Sequence, residues 1–195
     1  MLLLEAIDGI MVWDLVDPRR EYYSESNALA ALRRFGEMQG QIHRLTLECP
    51  TQPRVRLYDL IGEEMIDDPR FHEIIVWLKD HEIAHRDRVF VHGDYNTANV
   101  ILRDGIISGV IDWEFAGSGW KEYDLAWTLR ARMSFLNSQR EREAFLQGYY
   151  QYNSCDADAL RWCEVMNYLH DAYWSLEVNL AYTDFSTAQA LKLIS

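Results

Sequence analysis

The stretch that decides this chain is Arg88–Glu114, RVFVHGDYNTANVILRDGIISGVIDWE. Arg88–Val91 is a short apolar run ending on His92-Gly93-Asp94. Val100–Leu102 and Ile106–Ile111 are β-rich runs separated by Asp104-Gly105, a strong two-residue hairpin signal. The second run ends on Asp112. Turning the chain back at Asp104-Gly105 therefore brings Asn99 and Asp112 near each other, with Asp94 just upstream. A hard cation such as Mg2+ takes oxygen ligands, commonly one or two carboxylates completed by phosphate oxygens and water. Asp112 and the Asn99 amide oxygen suit that task. Asp94 is placed to accept a proton from a hydroxyl that attacks phosphorus, and phosphoryl transfer asks little more of a protein than positioning and charge neutralisation. Singly, each of the three reads as an ordinary turn or cap residue; their spacing on one hairpin favours a site.

Those residues carry a resemblance. His92-Gly93-Asp94-Tyr95-Asn96-Thr97-Ala98-Asn99 followed by Ile111-Asp112-Trp113-Glu114 resembles the catalytic loop and metal motif of the aminoglycoside phosphotransferase and choline kinase-like family, which shares the protein-kinase-like fold. The spacing Asp–x4–Asn–x12–Asp also matches the protein-kinase loop. The resemblance implies Asp94 as catalytic base, Asn99 and Asp112 as metal ligands, ATP and Mg2+ as cofactors, and a small-molecule hydroxyl as acceptor. It implies that His92 holds the loop rather than moving the proton, and that Asp124, in Tyr123-Asp124-Leu125-Ala126, braces the loop backbone. Glu114 is a candidate for assisting metal or substrate, or a solvated charge.

Positional matching puts residues 1–9 at the hinge strand leaving an N-terminal lobe, with the Glu5 carbonyl and the Ile7 N–H at the adenine edge. Residues 10–195 are expected to be the helical C-terminal lobe, with its catalytic motifs at 90–114. The fold class expected is α+β, mainly α-helical, built around the catalytic β-hairpin. No glycine-rich strand-loop-strand with its phosphate-pairing lysine is found in the sequence. A fragment, a split partner supplying the N-terminal lobe, and a catalytically silent lobe used for binding therefore stand beside the kinase reading.

Working outward, Val12–Arg20 reads as a loop closed by Asp17-Pro18. Ser24–Arg44 reads as a long helix with Ala28, Leu29, Leu32, Phe35, Met38, Ile42 and Leu45 on one face, and His43 as a packed or capping residue. Cys49–Tyr58 reads as a loop. Phe71–His85 reads as a helix; His81 and His85 have two-ligand spacing but no convincing third partner. Gly117-Ser118-Gly119 reads as a linker. Further helices are expected from Asp124 through Met133, over Ser138–Tyr152 with Tyr150 inward, from an Asp156 or Asp158 cap to about Tyr182, and over Thr187–Ile194. In the long one, Trp162, Tyr168, Asp171, Tyr173, Trp174 and Glu177 mix aromatic faces with acids, which suits an ammonium group. Trp174 and Glu177 are thus candidate substrate contacts.

Net charge is −12 over 195 residues. That disfavours a nucleic-acid surface and would favour a cationic acceptor. No apolar run reaches membrane-spanning length, Met1–Leu4 lacks a basic start, and three cysteines without metal spacing read as free thiols of a reducing cytoplasm.

Overall fold

The computed structural model describes residues 7–50, 68–83, 88–130, 135–136 and 138–195. Two small antiparallel sheets sit against a helical body. The first has strand order β1-β3-β4, from Ile10–Met11, Val100–Arg103 and Ile106–Val110. The second pairs β2 (Val89–Val91) with β5 (Gly117–Gly119).

The hairpin β3–β4 turns as its dipeptide demands. Asp104 and Gly105 both have positive φ, 54° and 73°, the signature of a type I′ turn whose twist matches the strands it joins. Its register pairs Val100 with Val110, and a bulge at Ser108 intervenes before Leu102 pairs with Ile107.

Helix α1 (Val12–Val16) replaces part of the expected loop. Val12, Leu15 and Val16 fall on one helical face, and Val12 and Val16 are fully buried. Helix α2 (Glu25–Ile42) starts at Ser24, whose side chain accepts from the Asn27 N–H, as an N-cap should. Ala28, Leu32, Phe35 and Ile42 face the core, whereas Leu45 lies beyond the helix and is exposed. Helix α3 (His72–Asp80) buries Phe71, Ile74, Ile75 and Leu78. It is shorter than expected, and His85 lies outside the described residues.

Gly117–Gly119 is a strand rather than a linker, held to β2 along the register Val89–Gly119, Phe90–Ser118, Val91–Gly117. Nothing in Gly-Ser-Gly favours a strand; the partner imposes it. Helix α4 (Lys121–Leu129) begins before Asp124 and ends before Met133, which lies outside the described residues. Helix α5 (Gln139–Tyr149) opens on a capping box between Ser138 and Glu141. It buries Phe145 and Tyr149, but Tyr150 is at its end and exposed. The last two helices divide earlier than expected, after Ser175 rather than near Tyr182. Helix α6 (Ala157–Ser175), capped by Asp156, stops at Ser175, and α7 (Leu180–Ile194) starts afresh at an Asn179 cap. No proline or glycine marks the break. The chain reverses there, α7 packs back along α6, and a buried Ser175–Thr183 hydroxyl pair at 2.8 Å ties the two together.

Helix α2 packs on α5, α4 on α6, and α3 against α6 and α7. The resulting core runs from Leu32 and Phe35 through Tyr95 and Leu125 to Leu169.

Candidate active site

The loop from His92 to Asn99 lies between β2 and the hairpin, and its shape is set by buried polar groups from three helices. Gly93 has φ 81°, a left-handed conformation that suits glycine, and its N–H donates to Asp124 Oδ1 at 2.7 Å. Asp124 is fully buried on α4. Its Oδ2 accepts from Gln39 Nε2 at 3.0 Å and from His43 Nε2 at 2.9 Å. Burial pushes this carboxyl's pKa up, but the donations and charges around it, His43 first, prevail and leave it below its ordinary value. Phe35, Gln39 and His43 recur every four residues along α2, so one stripe serves the loop. The Phe35 carbonyl accepts from Tyr95 Oη at 2.8 Å, with the two rings stacked. Gln39 also reaches Thr128, whose hydroxyl is 2.9 Å from the Tyr95 carbonyl. The second nitrogen of His43 meets the Tyr149 hydroxyl at 2.9 Å.

His92 is buried, and both ring nitrogens are committed. Nε2 donates to the Ile111 carbonyl at 2.9 Å, which fixes the tautomer, and Nδ1 accepts from the Asp94 N–H at 3.3 Å. Trp113 packs over this ring with centroids 4.5 Å apart.

Asn99 and Asp112 are brought together by backbone. The Asn99 carbonyl accepts from the Ile111 N–H at 2.9 Å, extending the hairpin ladder by one step, so that Asp112 follows directly on the residue paired with Asn99. The Asn99 amide nitrogen donates to the Asp94 carbonyl at 3.0 Å, so Oδ1 is the atom left to act as a ligand. Asp112 adopts a left-handed backbone, φ 63° and ψ 58°. An amide oxygen and a carboxylate are hard oxygen donors of the type Mg2+ prefers, so the chemistry of the donor set fits that ion. Asp94 is half-buried, and its Oδ1 accepts from the Trp127 indole N–H at 2.8 Å.

The other expected residues lie apart. Glu5 lies outside the described residues. Ile7 is 42% exposed and its side chain lies over β4, where a Cβ on Gly109 would meet it. Glu114 is exposed in the short 3-10 turn Trp113–Phe115. Trp174 is 63% exposed on α6, and Glu177 is exposed in the turn after it. Trp162 and Tyr168 are core residues instead, with the Trp162 indole donating to the Leu78 carbonyl. Asp171 pairs with Arg130 at 2.6 Å. His81 stacks on Trp77 and its Nδ1 is 2.9 Å from that residue's carbonyl. Sequence reasoning missed Gln39, Trp127 and Arg130, and undervalued His43. Only Trp127 left a signal, an indole donor one helical turn beyond Asp124.

A buried-aspartate-braced loop followed by a hairpin carrying amide and carboxylate oxygens is the architecture of a kinase-like lobe, and solved structures bear this out. The chain superposes on crystal structures of the aminoglycoside phosphotransferase APH(4)-Ia with a TM-score of 0.67 at 19% identity, covering 97% of this chain and 70% of that one. A choline/ethanolamine kinase family protein from Mesorhizobium loti gives a TM-score of 0.65 at 17% identity, covering 85% and 62%. The model of the phosphotransferase enzyme family matches residues 1–163, and this chain belongs to that family. An aminoglycoside 3'-phosphotransferase of Enterococcus faecalis is 26% identical over 163 residues, which is 74% of this chain. The chain spans 58% of that relative's length. Among the described residues, no helix is long and apolar enough to cross a membrane.

Proposed function

We propose that this chain carries the catalytic lobe of an ATP- and Mg2+-dependent phosphotransferase that acts on a hydroxyl of a small molecule. The observation that supports the reading is the backbone bond between Asn99 and Ile111, which keeps Asn99 and the residue before Asp112 paired at the end of the loop bearing Asp94. Asp94 accepts the proton of the attacking hydroxyl as the new P–O bond forms and the bond to the departing ADP oxygen breaks. Asn99 and Asp112 would hold Mg2+, which when bound would neutralise phosphate charge. His92 and Asp124 keep the loop in shape. Ile7, through its N–H, and Glu5, through its carbonyl, are the backbone groups assigned to the nucleotide base. Glu114, Trp174 and Glu177 stand as acceptor contacts, and a net charge of −12 favours a cationic acceptor over an anionic one. The APH(4)-Ia relative has been solved in a ternary complex with ADP and hygromycin B, which supports an aminoglycoside as the first acceptor to try. A cytoplasmic setting follows from the need for ATP.

The test is turnover of MgATP with a panel of aminoglycosides and amino alcohols, together with calorimetry of MgATP binding. Asp94→Ala should lower turnover by about 100- to 10,000-fold while nucleotide binding persists. Unchanged turnover removes Asp94 from its role. The alternative is a silent lobe that binds a partner or ligand; wild-type chain that binds no nucleotide with or without Mg2+ would decide for it.

A further inference from the structure

The bond from the Trp127 indole to Asp94 has no part in the roles assigned above, yet its surroundings are elaborately fixed. Trp127 lies on α4, is 8% exposed, and donates to Asp94 Oδ1 at 2.8 Å. The Arg130 guanidinium lies 3.4 Å from the centroid of the indole ring. Arg130 is itself 5% exposed and is held from its far side by Asp171 of α6 at 2.6 Å. Tyr182 of α7 donates to the other oxygen of Asp171 at 2.8 Å. Three helices thus contribute to the placing of one indole ring.

We propose that Trp127 is a positioning residue for Asp94, and that Arg130, Asp171 and Tyr182 form the clamp that keeps the indole in place. The inference rests on the phosphotransferase reading for what the orientation of Asp94 serves. An aspartate side chain turns among three staggered wells about χ1 and broadly about χ2. A charge-assisted hydrogen bond to one oxygen removes that freedom and fixes the carboxylate plane. An indole N–H is a donor only, so it orients the carboxylate without competing for the proton that Asp94 takes up. A phenylalanine would preserve the ring and the guanidinium stack while deleting the donor, which isolates the role from simple packing.

The deciding experiment is NMR on this chain. The protein has seven tryptophans, so the other six indole resonances report on the fold. In Asp94→Ala, the Trp127 indole N–H resonance should move upfield while the others stay. In Trp127→Phe, the Hα–Hβ couplings of Asp94 should pass from those of one rotamer to a rotamer average. A Trp127 resonance indifferent to Asp94→Ala overturns the proposal, as do unchanged Asp94 couplings in Trp127→Phe. Should Trp127→Phe fail to fold, the Asp94→Ala arm decides, since it leaves the indole and its clamp in place. In turnover with MgATP and hygromycin B, Trp127→Phe should lose about 10- to 100-fold in kcat with KM for ATP within about twofold. Equal kcat overturns the proposal. A wild-type chain inert toward every acceptor, with the NMR shifts as expected, rejects the phosphotransferase reading and leaves the orientation of Asp94 by Trp127 standing.

Discussion

At the scale of single residues, Asp112 joins two demands that can be separated. It offers a carboxylate, and it adopts a left-handed backbone that aspartate and asparagine tolerate and alanine does not. Asp112→Asn should melt near the wild type, whereas Asp112→Ala should be less stable by about 1 kcal/mol. Both should lose the Mg2+-dependent part of nucleotide binding. Thermal melts and calorimetry of the pair check this; an alanine variant as stable as the asparagine one would show that the backbone at 112 carries no strain. This scale is also where the sequence spoke most clearly. Asp94, Asn99 and Asp112 were legible because one loop and one hairpin carry all three, and a two-residue turn fixes the register. His43 is buried at the C-cap of α2, as a packed or capping residue, but its partner was not legible. A histidine near a helix end looks the same whether it caps the helix or reaches, as here, an aspartate 81 residues away.

At the scale of elements, α2 and α5 approach closely because each carries glycine at the crossing. A Cβ on Gly36 would run into the Phe145 carbonyl, and one on Gly148 into the Arg33 carbonyl. Alanine is the better helix former by about 1 kcal/mol, yet Gly36→Ala and Gly148→Ala should each destabilise, by about 1–3 kcal/mol, because backbone must move to admit the methyl group. Urea unfolding of the two variants measures it, and a gain in stability in either would mean the crossing is looser than described. Capped, periodic helices such as α2 and α5 could be read from sequence, since both signals are local. The short α1, the strand at Gly117–Gly119 and the position of the break between α6 and α7 could not. The strand owes its shape to a distant partner, β2, and the turn is tied by the Ser175–Thr183 pair rather than marked by a proline or glycine.

At the scale of the whole molecule, the buried carboxyl of Asp124 couples the catalytic loop to acid stability. Its pKa lies below the ordinary 3.8, so the unfolded chain takes up that proton more readily than the folded one. The stability it lends is therefore complete well above the ordinary value and is lost as pH falls through the folded one. Asp124→Asn should lower the melting temperature near neutral pH, and the gap to the wild type should narrow as pH falls from neutral to below the ordinary carboxylate value of 3.8. A gap that stays constant across that range would mean the carboxylate's charge plays no part.

The family model matches residues 1–163, a stretch that ends inside α6, and Asp171 and Tyr182 lie beyond that match. Two proteins could then inherit identical loop signatures and still differ in how firmly the base is aimed, because the aiming is done from the tail. A chimera exchanging only the segment after 163 would probe that divergence without altering one signature residue.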